Sequence, residues 1–114
     1  MEEGIVKLAI AAEGPIVSQH FGHCTEYVMV TIENGTIVAK ETVGSPGHSP
    51  GALPPFLAGL GATKILAGGM GPNAVGLFNE QGIDVYLGVS GTIEETIESF
   101  VNGTLVCGIS TCTH

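Results

Sequence analysis

Apolar positions along the chain fall into short blocks separated by glycine, proline and asparagine, and the spacing within each block predicts an element. Residues 5–11 (IVKLAIA) form a mostly apolar run, as expected of a strand covered on both faces. Residues 26–33 (EYVMVTIE) and 36–43 (TIVAKETV) are β-branched and roughly alternating. Asn34-Gly35 between them is a strong hairpin signal, because a two-residue type I′ turn needs positive φ at both positions. The chain then changes character. Residues 44–51 (GSPGHSPG) are loop chemistry, and Pro54-Pro55 suits the first turn of a helix over residues 53–60. Residues 64–67 (KILA) and 83–87 (IDVYL) read as further strands, with a helix over 72–80 between them that Gly82 stops. Thr92 and Glu95 form a capping box for a third helix, TIEETIESFVN, whose Ile93, Ile97, Phe100 and Val101 share one face. Asn102-Gly103 ends it.

The order β-β-β-α-β-α-β-α predicts an α/β fold: an antiparallel meander followed by βαβ units. Right-handed crossovers place the fourth strand beside the first and the fifth beyond it. The expectation is a mixed five-stranded sheet of order 3-2-1-4-5, with the second strand antiparallel and three flanking helices. One domain over residues 1–104 and a Cys/His tail over 105–114 account for the chain. The loops at 12–25, 44–51, 68–72 and 88–91 then share the carboxyl edge of the sheet, where open α/β sheets bind ligands.

Charge narrows the partners. Three lysines, no arginine and eleven acidic residues give a net charge of −8, which argues against nucleic acid, since each neutralised phosphate needs a cation. No apolar run approaches the ~20 residues needed to span a bilayer. The acidic start lacks the basic opening of a signal peptide, so a cytoplasmic protein with no membrane partner is expected. Three cysteines in a reducing compartment point to thiol or metal chemistry rather than disulfides.

Five consecutive residues, His20-Phe21-Gly22-His23-Cys24, hold three soft or borderline ligands in one predicted rim loop. Imidazole and thiolate suit zinc, iron, copper and iron–sulfur species, whereas magnesium and calcium want oxygen. The same string would also serve a loop whose histidines cap backbone groups around a buried cysteine. Cys107, Cys112 and His114 in the tail offer two more thiols and an imidazole, at a spacing that fits no standard zinc module. The tail starts from the far edge of the sheet, and its 11 residues after Gly103 could span ~36 Å if extended, at ~3.3 Å each. Gly68-Gly69-Met70-Gly71-Pro72-Asn73 brings glycine backbone to a helix start. Gly69, Met70, Gly71 and Asn73 are therefore candidate cofactor contacts, with an ordinary tight turn as the alternative. His48 lies in a Gly/Pro-rich loop. Asp84 is the only aspartate, and no close carboxylate pair falls in the rim loops, so catalysis is not expected.

The string from Pro15 to Gly22, with Val17-Ser18-Gln19-His20-Phe21-Gly22 at its heart, resembles the V-S-x-H-F-G signature of the dinitrogenase iron–molybdenum cofactor biosynthesis family. Gly68-Gly69-Met70-Gly71-Pro72-Asn73-Ala74 and Gly82-Ile83-Asp84-Val85 are similar to that family's G-G-x-G-x-x-A and G-I-x-V segments. The resemblance covers roughly residues 4 to 104. It implies a ribonuclease-H-like architecture without nuclease carboxylates, and a site histidine at position 20. Relatives include nitrogenase accessory proteins that bind or carry iron–molybdenum cofactor or its precursors. His23 and Cys24 stand where many relatives have arginine or small residues, and the Cys/His tail belongs to some short members only. With no arginine, the charge of an anionic cluster would be met by backbone N–H groups and metal–ligand bonds.

The reading that follows is a non-enzymatic binding or carrier protein for a metal or metal–sulfur cluster, either iron–sulfur or iron–molybdenum–sulfur. His20, His23 and Cys24 would be its donors, and cluster-assembly or acceptor proteins its partners. The alternatives are a zinc-binding structural or interaction module, and a regulatory domain that takes a small anion at residues 68–73.

Overall fold

A computed structural model describes residues 5–19, 26–44, 53–70 and 72–102. Its centre is β1 (Ile5–Glu13), whose residues from Leu8 to Ala12 are wholly buried. Such burial on both faces is what an unbroken apolar run requires. β1 pairs antiparallel with β3 (Glu26–Glu33) and parallel with β5 (Lys64–Leu66). β3 turns back at Asn34-Gly35, with φ of 52° and 81°, into β4 (Thr36–Gly44). β6 (Asp84–Tyr86) adds in parallel to β5. The path across the sheet is β4-β3-β1-β5-β6.

The expected five strands become six. Ile16–Val17 forms a two-residue strand, β2, that folds back antiparallel onto Ala12 and Glu13. The loop expected over residues 12–25 therefore starts later than its sequence suggests. β1 continues to Glu13, and Gly14, at φ 63°, makes the tight reversal.

The helices cover opposite faces. α1 (Leu53–Gly59) and α2 (Pro72–Glu80) lie on one, where Leu57, Ala74 and Phe78 pack with Ala9, Ala11, Tyr27, Met29 and Ile65. α3 (Ile93–Asn102) lies on the other, where Ile93 and Ile97 pack with Leu8, Ile10, Val28, Val30 and Leu66. The alternation along β1, odd residues to one cluster and even to the other, follows from the two-residue period of a strand. The capping box forms reciprocally: the Glu95 N–H donates to Thr92 Oγ1 at 3.1 Å, and the Thr92 N–H to Glu95 Oε1 at 3.3 Å. Among the described residues no helix is long and apolar enough to cross a membrane.

Candidate functional site at the carboxyl edge

Backbone hydrogen bonds tie the chain ends of this edge into one rim. The Ser18 N–H donates to Ala11 O at 2.8 Å, and the Gly68 N–H donates to Ser18 O at 2.8 Å. The Gly88 N–H then donates to Gly68 O at 3.0 Å, which brings in the turn after β6. On the other side of β2, Val17 N–H meets Gly91 O at 3.0 Å and Ile93 N–H meets Pro15 O at 2.8 Å. The turns after β2, β5 and β6 therefore stand side by side, as the topology read from the sequence requires.

Closeness of approach explains the glycine pair. A β-carbon on Gly68 would lie 2.8 Å from the Gln19 α-carbon, and one on Gly69 would lie 2.8 Å from the Gln19 carbonyl oxygen. Any side chain at 68 or 69 would drive Gln19 away from the rim. The sequence left these glycines between a tight turn and an anion cradle, and what the structure shows is close backbone contact with a residue distant in sequence. Ser18 is buried, and its hydroxyl donates to Glu13 Oε2 at 3.3 Å, which fixes the residue whose carbonyl receives Gly68. Ser18 and Gln19 were not among the residues singled out from the sequence. The only signal for them is their place inside the V-S-x-H string.

Of the candidate ligands, His20, His23, Cys24, Cys107, Cys112 and His114 lie outside the described residues, as do Gly71 and His48. What is fixed is where the segment holding the first three is anchored. It leaves from Gln19, against Gly68 and Gly69, and returns at Glu26, which pairs with Ala12 and Gly44 at the same edge. Met70 is half-buried and packs against the cluster beneath α1 and α2, so its side chain fills core space. Asn73 is exposed in the first turn of α2. Among the described residues there is no group of three or more His, Cys, Asp or Glu side chains able to hold a metal. The imidazoles and thiol of residues 20–24 belong to the segment that starts at Gln19. Their nitrogen and sulfur chemistry matches a soft metal or a metal–sulfur species.

Two of the three lysines are engaged by acids. Lys40 is ion-paired with Glu94 of α3. Lys64, at the amino end of β5, donates to Asp84 Oδ2 at 3.0 Å and sits 5.5 Å from the centre of the Tyr86 ring. Burial alone would lower its pKa. The Asp84 hydrogen bond and the charges of Tyr86 and Asp84 outweigh that and hold it above the ordinary lysine value.

The sequence model described as "dinitrogenase iron-molybdenum cofactor" matches residues 4–103. The chain belongs to that family. It is 34% identical over 106 residues to MJ0580 of Methanocaldococcus jannaschii, a match covering 89% of this chain and 90% of the other. The crystal structure of PH0822 superposes with a TM-score of 0.86 at 36% identity, over 93% of this chain and 99% of that one. The apo form of the orange protein from Desulfovibrio gigas gives a TM-score of 0.74 at 26% identity, over 90% and 92% of the two chains. Family membership associates the fold with metal-cluster chemistry.

Proposed function

We propose that this protein binds a metal–sulfur cluster as cargo and carries it, without catalysing a reaction, in the cytoplasm. His20, His23 and Cys24 are the donors, and the cluster is of the iron–sulfur or iron–molybdenum–sulfur kind. The observation that carries the reading is the contact of Gln19 with Gly68 and Gly69, which anchors the start of the donor segment on the ligand-binding edge of the sheet. Family membership supports the kind of cargo, and the neighbouring orange protein has a structure described as an apo form. The architecture is read as ribonuclease-H-like, with the rim adapted to hold a group rather than to cut a phosphodiester. Cluster-assembly or acceptor proteins are the partners this role requires.

The chemistry of the donors agrees with the charge of the chain. Thiolate and imidazole bonds hold a cluster through its metals, so the chain does not need the cations it lacks. Anaerobic purification of wild type and His20→Ala, with elemental analysis, sulfide determination and an absorption spectrum, tests the proposal. Stoichiometric iron or molybdenum with sulfide and visible absorption, sharply reduced in His20→Ala, is the expected result. A colourless protein holding zinc alone would point instead to a structural module. No metal uptake after anaerobic reconstitution with iron, molybdate and sulfide would overturn the reading.

A further inference from the structure

One surface that the rim does not explain is the β4 edge of the sheet. β4 is nine residues long and, among the described residues, pairs with β3 alone. All but Val43 of its residues are exposed, with Ile37 and Val38 at 45% and 55%. A long edge strand offers N–H and C=O groups to which another strand can pair. Natural edges are blunted by proline, charged side chains, β-bulges or a covering element; β4 has no proline, and it carries Lys40, Glu41 and one shift of register. The pairing shifts register between Thr31 and Ile32, leaving Val38 as the extra residue, while Ile37 pairs with Ile32 and lines a groove with α3.

Beside this edge, between Ile37 and α3, runs a groove of about 430 Å³. Its floor is Ile37, Ile97 and Val101, and its wall is Glu94, Glu95 and Glu98. Glu94 is answered by Lys40 and Glu95 serves the helix cap, while Glu98 has no partner among the described residues. An apolar floor under a carboxylate wall suits a lysine or arginine, whose stem lies on hydrocarbon while its head reaches the acid.

We propose that β4 and this groove form a docking site for an extended, basic segment of a partner protein, which adds as a strand to β4. Cationic side chains at alternate positions of that segment lie over Ile37 and Val101 and reach Glu98 and Glu95. Strand addition gives affinity through the backbone and specificity through alternate side chains. Charge selects the occupant. A second copy would bring another −8 surface against three glutamates, and residues 103–114 contain no lysine or arginine. An opposite charge steers encounter and fixes register. The proposal stands independently of what the rim binds.

The test uses the full-length, isotope-labelled chain and a capped peptide of the same length as β4, alternating lysine and valine. A glutamate-for-lysine version and a scrambled version serve as controls. Amide shifts confined to β4 and α3, weakened by salt and absent with the glutamate peptide, are expected. Glu98→Lys, an exposed helix substitution that leaves the core untouched, is expected to weaken binding by about tenfold. No shifts at millimolar peptide, shifts centred elsewhere, or equal binding by Glu98→Lys and by wild type would overturn the proposal. Sharpening of the amides of residues 103–114 on peptide addition would overturn it in favour of the chain's own tail. Dimers in sedimentation that the peptide dissociates would overturn it in favour of a second copy.

Discussion

Gln19 lies against Gly68 so closely that a β-carbon added to the glycine would sit 2.8 Å from the Gln19 α-carbon and 2.9 Å from its side-chain amide. Two stretches far apart in the chain thus meet backbone to backbone, with the Gly68 N–H to Ser18 O bond at 2.8 Å holding them. Gly68→Ala must push one stretch away. Because the obstacle includes backbone rather than only a flexible side-chain tip, the cost should be roughly 1–3 kcal/mol, as for other overpacked sites. Gly69→Ala meets the Gln19 carbonyl at the same distance and should behave alike. Urea unfolding of both variants measures the cost, and anaerobic reconstitution shows whether metal uptake falls with it. Unchanged stability in both would mean that this contact does not hold the rim together.

Gly76 makes the opposite case. It lies in the interior of α2, is exposed, and an added β-carbon would meet nothing within 4 Å. Glycine in such a place sacrifices unfolded-chain entropy without a steric reason, so Gly76→Ala should stabilise by about 0.5–1 kcal/mol. A rise of a few degrees in melting temperature with unaltered metal binding is the expected outcome. The pair of experiments separates glycines that permit close approach from glycines that only loosen a helix.

The contrast also shows which parts of the fold could be read from residue order. Asn34-Gly35 and the Thr92–Glu95 box are local: the residues that make each feature are neighbours, and the structure has both where the pattern puts them. β2 is not local. Ile16 and Val17 are a strand because Ala12, Glu13 and Thr92 are beside them, and two residues carry no period. The predicted order 3-2-1-4-5 already puts residues 36–43 at an edge, where β4 lies; what stayed hidden is its surroundings. Its β-branched alternation announces a strand but says nothing of what covers it. At the rim, the sequence brought the right turns to one edge because right-handed crossovers leave little choice. It could not say that the partner of Gly68 and Gly69 is Gln19, since a glycine looks the same whether it serves a turn, an anion or another backbone.

The α3 cap is coupled to the rim, and this makes its removal informative. Thr92 also bridges to Ile16, and the Ile93 N–H bonds to Pro15 O, so the first turn of α3 holds β2 in place. Thr92→Ala removes the acceptor for the Glu95 N–H and should cost about 1 kcal/mol. Hydrogen exchange should quicken at Val17 and Ile93 as well as at Glu95, because β2 loses its support when the turn frays. Faster exchange confined to Glu95 would show that β2 is held by β1 alone.

Lys64 supplies a prediction about pH. Its pKa is raised in the folded protein: burial opposes the charge, but the Asp84 hydrogen bond and the Asp84 and Tyr86 charges favour it more. A raised basic group stabilises the fold fully below its unfolded pKa, and the benefit is lost as pH climbs through the folded value. Asp84 is largely exposed, so solvent screening limits the pair to about 0.5 kcal/mol. Asp84→Asn should therefore melt slightly below wild type from neutral through mildly alkaline solution, and the gap should close only in strongly alkaline solution. Lys64→Met keeps a stem against Tyr86 without the charge. It should show no further effect of Asp84→Asn at any alkaline pH, which identifies the ion pair as the source of the gap. A gap that closes near neutrality, or one that persists in the Lys64→Met background, would assign the effect to some group other than Lys64.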